Sequence, residues 1–553
     1  MRIRDVPLLV AVWALPWAGA AELRVAERRV QVLADGEVIA ESPEEGLWSI
    51  ACDWRERWPA DWRHAEPSTQ ASAGEWTILK GELNACGGTW LLEEAYRQKG
   101  NAIQGVRRFQ WKGSAPAPKV TLSVRFQARA ERSNILLPGI VYYGNPSGAR
   151  SGRVPVYKGA PGEEAVFEEH RYPLPFAYVE LERRAALRGA ALHTLPSAAP
   201  HANLPDQWWS LGVVARAEGP ELVLLSGPCA SNGNRGVVKA LQKGFVPYDN
   251  AYLHVPPGAV IEKTFFLEAF PVAQGGSGFS QSVRTAIQLS PPFSLDGLPE
   301  FAEIVRAKYR YAKSRWYESG DVAGFKKYID RSVFVMGWTG QAEALGWALQ
   351  ALEKGLRDPA AVPMARKSLD FLTTATFYPG GFHNWYDFQK NQWYGQEPLN
   401  QGQAMLAFAR AIRAGRKRKL ETARWEAFLR KAADLHSRRI LAEDWRPPST
   451  AEAAFIAPLL ECSTLFGAPL FRQAAVKAAE HYARRHLDMR EPYWGGTLDA
   501  RCEDKEAAAL AFQAFLALYE LTRNPEHLRW ARHACDVAPV SYTHLTLPTN
   551  REV

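Results

Sequence analysis

The chain has 553 residues, 47% of them hydrophobic and 23% charged, with a formal net charge of +8. That length exceeds what one hydrophobic core supports, and the composition excludes a disordered, collagenous or disulfide-dense chain. The positive charge is spread thinly. Its densest run, "RKRK" at 416–419, lies between two helical patterns and reads as a solvated turn, so no nucleic-acid partner is expected.

Residues 1–20 combine a basic start, "MRIR", with the apolar run "VPLLVAVWALPWAGA" and a small-residue Ala18-Gly19-Ala20 end. This is the pattern of a cleaved secretory signal peptide, so the mature protein is expected to be secreted or periplasmic. An anchoring helix is the alternative, but the run is short and Pro7 and Pro16 interrupt it. No other segment approaches membrane-spanning length, so no membrane partner is expected after cleavage.

Residues 21–290 carry a two-residue period. "LRVAERRVQVLADGEVIAE", "KVTLSVRFQARA", "FAYVELERRAA", "ELVLLSG" and "VIEKTFFLEAFPV" are short alternating or apolar runs divided by Gly, Pro and Asn clusters. They predict a large antiparallel β-sandwich. Within it, "FEEHRYPLPF" (167–176) is a polar–aromatic loop whose Glu168, Glu169, His170 and Arg171 are expected to form surface ion pairs. Residues 291–336 hold an amphipathic helix, "FAEIVRAKYRYAKSRWY", which reads as a helical linker.

From residue 337 an internal repeat appears. "WTGQAEALGWALQAL", "LNQGQAMLAFARAI", "PSTAEAAFIAPLLEC" and "CEDKEAAALAFQAFLAL" share a Gln/Glu-Ala step at Gln341, Gln403, Glu452 and Glu506, spaced by 62, 49 and 54 residues. Each continues into a second, amphipathic helix, whereas the first is rich in Ala and Leu. An inner row of buried helices wrapped by an outer row follows from that contrast. The repeat ends near Ala538, and "PVSYTHLTLPT" lacks any period. Residues 539–553 resemble a translated sequencing adapter, and residues 540–553 are expected to pack against nothing.

The six cysteines, Cys52, Cys86, Cys229, Cys462, Cys502 and Cys535, show no metal-binding spacing. Cys52 with Cys86 and Cys462 with Cys502 are open as disulfide pairs, as is isolated burial of each thiol. No phosphate-binding loop, nucleophile elbow or zinc helix is present in the pattern, so no cofactor or metal is expected.

The stretch "PGGFHNWYDFQKNQWYGQEP" (379–398) has six aromatic residues in twenty, against 11% in the whole chain. Trp385, Tyr386, Trp393 and Tyr394 offer faces for the C–H side of a sugar ring. His383, Asn384, Asp387 and Glu397 offer partners for its hydroxyls. The alternative is an aromatic plug sealing the loop against the β domain. A second loop, "EPYWGGTLDARCEDKE", places Trp494, Asp499, Glu503 and Asp504 before another inner helix. Acidic residues there also suit the positive end of a helix dipole. "GWTGQAE" (337–343) puts Trp338 and Gln341 at the first inner helix, as pocket-lining or core residues.

The domain order, the inner/outer hairpin repeat and the loops "GGFHNWYDF" and "YWGGTLDARCEDKE" resemble the six-hairpin glycosidase superfamily, in particular members with an N-terminal β-sandwich. The resemblance implies a supersandwich-like domain followed by an (α/α)6 toroid, with a carbohydrate bound at the ring mouth. It also implies six hairpins. Only four are legible here, so an incomplete toroid over 337–538 is expected. Asp387, Asp499, Glu503 and Asp504 are the candidate catalytic residues of a glycoside hydrolase, which needs one carboxylic acid and one carboxylate. Trp338, Gln341, His383, Asn384, Trp385, Tyr386, Trp393, Tyr394, Glu397 and Trp494 are candidate substrate contacts. Two other readings stand beside this one. One is a polysaccharide lyase with a base drawn from His383 and Tyr386, acting on an acidic glycan with Asn384 as neutraliser. The other is a non-catalytic glycan-binding protein.

Overall fold

A computed structural model of the chain describes residues 20–540 except 27, 145–155, 200–207, 240–243, 291–293, 338–339, 448–449 and 488–504. The β region forms an 11-stranded and a 9-stranded antiparallel sheet. Between them lies a core that includes Trp48, Trp90, Phe109, Phe126, Leu211 and Leu224. Cys52 and Cys86 are disulfide-bonded, whereas Cys462 is a buried thiol.

The 9-stranded sheet is covered on both faces where Phe176–Arg183, Ala186–Thr194 and Val260–Pro271 lie between the sandwich core and the helices, and there the strands read as nearly continuous apolar runs, whereas Trp76–Ala85 alternates buried and exposed residues. In Phe176–Arg183, Ala177, Val179 and Leu181 face the sandwich core, whereas Phe176 and Tyr178 face the helical part. Ala191 and Phe270 join that second face from the two neighbouring strands.

The helices begin earlier than residue 298. The last long strand ends at Pro271, and α1 (Phe279–Leu289) lies at the junction of the sandwich and the helical domain. The reason is a buried carboxylate. Glu268 is fully buried and accepts from Ser282 Oγ (2.9 Å), Thr285 Oγ1 (2.7 Å) and Gln281 Nε2 (3.1 Å) of α1, with His193 Nε2 at 3.0 Å. The linker follows as α2 (Phe301–Ser314), a short hairpin (Trp316–Ser319 with Val322–Phe325) and the strand Val333–Val335.

Four αα-hairpins occur among the described residues, not six. Their first helices are α3 (Ala342–Leu356), α5 (Pro398–Lys417), α7 (Ile456–Phe466) and α9 (Lys505–Thr522). Their second helices are α4 (Ala361–Leu372), α6 (Ala423–Leu441), α8 (Pro469–His486) and α10 (Pro525–Val540). The first helices adjoin one another in sequence order. α5, α7 and α9 share a cleft of about 730 Å³ lined by Gln403, Leu406, Arg410, Glu461 and Gln513 among others. A two-turn 3-10 helix, Thr450–Phe455, precedes α7.

The expected end of the fold at Ala538 is two residues short. α10 continues through Pro539 to Val540, which is buried; its carbonyl accepts from Tyr142 Oη (2.6 Å) and the Gly139 N–H (2.5 Å) of the β domain. Val540 therefore packs, contrary to the expectation for 540–553; residues 541–553 lie outside the described residues.

Close backbone approach sets the geometry of the helical row. A Cβ at Gly402 of α5 would lie 2.6 Å from the Ala454 carbonyl. Gly402→Ala should therefore force α5 away from the 3-10 helix. The expected cost is roughly 1–3 kcal/mol, measurable by denaturant or thermal unfolding against wild type.

Candidate functional site

The aromatic loop is divided by its own strand alternation. Trp385–Asp387 pairs with Gln392–Tyr394 and with Val333–Val335. Tyr386 is buried, donates to Asn391 Oδ1 (2.5 Å) and packs against Phe334, Phe371 and Trp393. Phe388 stacks on Tyr317 at 4.1 Å. Trp393 packs on Phe371 and donates to Thr374 Oγ1 (3.2 Å). Tyr386 and Trp393 thus pack into the apolar core, against the linker strand and α4 and not against the β domain as the plug alternative has it. The other half faces outward. Trp385 and Tyr394 are cross-strand neighbours with ring centroids 5.7 Å apart; Lys327 Nζ lies 4.4 Å over the Trp385 ring, and Trp385 Nε1 donates to Glu397 Oε2 (3.1 Å).

Asp387 has a structural occupation. Its Oδ1 accepts the N–H groups of Gln389 (2.9 Å) and Lys390 (3.0 Å), closing the turn between the two strands. An Asp whose side chain folds back on its own turn is the usual Asx arrangement, a structural role that stands beside the catalytic one expected of this residue.

A different group of side chains gathers at the mouth. Gly380 and Gly381 turn the chain between Tyr378 and Phe382, and a Cβ at Gly381 would lie 2.0 Å from Gln401 Oε1. The vacant space lets Gln401, buried in the first turn of α5, reach under the turn. Its Nε2 donates to Tyr378 Oη (2.8 Å) and its Oε1 accepts the Phe382 N–H (3.4 Å). The His383 ring sits 5.1 Å from that of Tyr378, with Nδ1 held by Thr376 Oγ1 at 2.8 Å. Burial pushes the Tyr378 phenol above its ordinary range, and Glu397 and Glu452 add to this, while the Gln401 hydrogen bond and Arg439 oppose it. Arg439, at the end of α6, pairs with Glu452 of the 3-10 helix (2.8 Å), which also accepts from Trp445 Nε1 (3.3 Å). His436 is buried on Phe455, and burial drives its imidazole well below the usual histidine range.

Below the mouth lies a buried polar cluster. Gly337 has φ +80, and a Cβ there would fall 2.3 Å from Asn400 Cα. Its N–H donates to Glu343 Oε2 (2.9 Å). Glu343 is fully buried in the first turn of α3, and burial raises its carboxyl to about 7 despite backbone N–H donors. Asn384 accepts the Glu397 N–H (3.3 Å), and its Nδ2, like Asn400 Oδ1, is buried with no partner among the described residues. Gln341 precedes α3 in the left-handed region, φ 54, with an exposed side chain.

Trp338, Trp494, Asp499, Glu503 and Asp504 lie outside the described residues. Sequence reasoning missed Tyr378, Gln401, Arg439 and Glu343. The glycine pair beside Tyr378 was the available signal for Gln401. Arg439 was hidden among the basic residues of an amphipathic helix. The ion pairs expected on the surface at 168–171 are buried instead: Glu169 is paired with Lys263 (2.7 Å) at under 2% exposure of either side chain, and Glu168 with Arg171.

No family model matches the chain, and no curated protein matches it. Among solved structures it is similar to a polysaccharide lyase, at 9% identity over 95% of this chain and 82% of that one with a TM-score of 0.38. It is also similar to a GH76 alpha-mannanase of Bacteroides thetaiotaomicron (10% identity, 46% and 70% covered, TM-score 0.31). A D-mannose isomerase is similar at 12% identity, with 45% and 72% covered and a TM-score of 0.32. Likenesses at this level fix neither family nor reaction.

Two outcomes follow from this geometry. Glu343 binds its proton more tightly folded than unfolded, so folding is penalised progressively as pH rises from about 4 to 7, by on the order of 3 kcal/mol once complete. Glu343→Gln should therefore gain stability relative to wild type between pH 5 and pH 8, read from unfolding curves at both values. Asp387→Ala should cost roughly 1 kcal/mol of stability and leave turnover within about tenfold of wild type, well short of the loss expected for a general acid or base.

Proposed function

We propose that the chain is an enzyme that cleaves a glycan lying across the mouth of the hairpin row, by β-elimination at an acidic sugar. The observation that carries this reading is the Tyr378–His383 pair: two proton-transfer groups side by side, each fixed by a neighbour, with no carboxylate between them. With Nδ1 engaged by Thr376, His383 Nε2 is the nitrogen left to take the proton from the carbon next to the sugar carboxylate. The electron pair released forms the new C=C bond, and the C–O bond of the glycosidic linkage breaks. The departing oxygen takes a proton from Tyr378, which burial keeps protonated beyond the ordinary phenol value of about 10. Negative charge growing on the sugar carboxylate suits the Arg439 guanidinium, whose field reaches Tyr378. Trp385 and Tyr394 provide stacking faces beside this group, with Glu397 as a hydroxyl acceptor.

Hydrolysis is the second reading, and Glu343 favours it. A carboxyl near 7 is matched to general-acid work at neutral pH, and it would act with Asp499, Glu503 or Asp504 as the second carboxylate. Its burial beneath Gly337 ranks it behind the elimination reading.

The two reactions differ in product. Elimination leaves an unsaturated sugar that absorbs in the near ultraviolet, and hydrolysis leaves a new reducing end without it. Incubation with alginate, polygalacturonate or hyaluronan should give the absorbing product. Tyr378→Phe and His383→Ala should each lower kcat by on the order of a hundredfold or more with melting temperature unchanged. Reducing ends without absorbance would instead establish hydrolysis, and full activity in both variants would remove the pair from the chemistry.

A further inference from the structure

The sandwich carries a second built cleft on the sheet that faces away from the helices. In the strands Glu164–Glu168, Trp209–Arg216 and Gly219–Ser226, one set of side chains enters the sandwich core. The alternate set, Val166, Val214, Val223 and Leu225, forms a small apolar floor of its own on the outer face. The strand Trp58–Ala65 brings Trp58 and Trp62 against that floor. Four residues apart on one strand, they project from the same side, separated along it by roughly 13 Å. Its partner strand, Trp48–Arg55, is tied to the Cys86 turn through Cys52, so the tryptophans stand on a covalently braced hairpin.

The cleft between the tryptophans and the sheet holds about 400 Å³ and is ringed by Arg125, Arg235, His64, Glu45, Glu164 and Glu221 among others. The ring of charges is balanced and internally paired. Arg125 Nε donates to Glu221 (2.7 Å), which also pairs with Arg216 (2.6 Å), and Arg235 Nη2 donates to Glu164 (3.0 Å). Arg235 also lies 5.0 Å over the Trp58 ring, and its Nε is buried without a partner among the described residues. Neither a charged ligand nor a purely apolar one suits such a lining. A pyranose does, because it has apolar C–H faces for indole and hydroxyls that both donate and accept at paired Arg and Glu groups.

We propose that this cleft is a glycan-binding site separate from the mouth, taking one or more uncharged sugar residues of a polysaccharide chain between Trp58 and Trp62. It would hold polymeric substrate to the protein and play no part in bond cleavage. The cleft's lining is separate from the residues of the mouth, whichever reaction the mouth performs.

The test is affinity electrophoresis of the full chain, run in the cold and briefly so that turnover does not degrade the gel, in gels containing xylan, glucomannan, alginate, polygalacturonate or hyaluronan. At least one of xylan, glucomannan and hyaluronan, which contain uncharged sugar residues, should retard the protein, and retardation by alginate or polygalacturonate alone would overturn the proposal. Adding Trp58→Ala and Trp62→Ala should weaken that retardation by about tenfold or more, whereas Trp58→Phe and Trp62→Phe should retain most of it, with unfolding curves confirming that each variant folds. Retardation that survives loss of both tryptophans overturns the proposal, as does an absence of retardation in every gel. Activity assays on short oligosaccharides judge the mouth independently, since the tryptophan variants should leave that activity unchanged.

Discussion

A saturated buried carboxylate joins the two halves of this protein. Glu268 has no access to solvent, so its charge is sustained only by the groups around it. Burial alone would push its pKa up, yet the hydrogen bonds from His193, Thr285 and Gln281 more than offset this and hold it below the usual carboxylate range. Three of its four donors come from one face of α1, so the charge is satisfied only when α1 sits on the strand that carries it. Breaking a buried, paired charge costs on the order of 3–5 kcal/mol. The apolar core then runs without interruption from Phe176, Tyr178 and Phe270, through Phe279 and Val283 of α1, to the helical row. Val540 at the end of α10 closes the same seam through Tyr142 and Gly139.

With the helical row held on the sandwich, the mouth is shaped by three points at which backbone replaces side chain. Gly337 admits the start of α5, Gly381 admits the Gln401 side chain, and Gly402 admits the 3-10 helix. Each approach brings a polar group within reach of another element: Glu343 to Gly337, Gln401 to Tyr378, Glu452 to Arg439. Tyr378 is consequently held by a buried side chain, Gln401, and its neighbour His383 by Thr376. Such support is what keeps a site in one geometry.

The acidic residues are distributed between structural and available roles by the same physics. Asp387 is consumed by its turn, and Glu169 and Glu268 are consumed by buried partners. Glu343 is buried with backbone donors alone, and burial raises its carboxyl to about 7. Glu397 remains exposed beside Trp385. Counting acids in a loop does not distinguish these cases, because the loop's own hydrogen bonds decide which oxygen atoms are free.

The sequence by itself determined the larger divisions: a two-residue period for the sandwich, a helical period for the hairpins, and an unusual aromatic loop between them. These are local signals, since periodicity records which face of an element is buried. It also indicated the glycine pair at 380–381. It did not show which aromatic residues of that loop face outward. Trp385 and Tyr394 do so, whereas Tyr386 and Trp393 face the core, because that choice depends on pairing with Val333–Val335, some fifty residues earlier. Glu343 and Arg439 come from the first and second hairpins and Tyr378 from the loop between them, and the three carry no shared motif. Only the tertiary structure brings Tyr378 under the influence of Arg439 and buries Glu343 deeply enough to raise its pKa. Desolvation and long-range charge act through space, and no spacing along the chain encodes them.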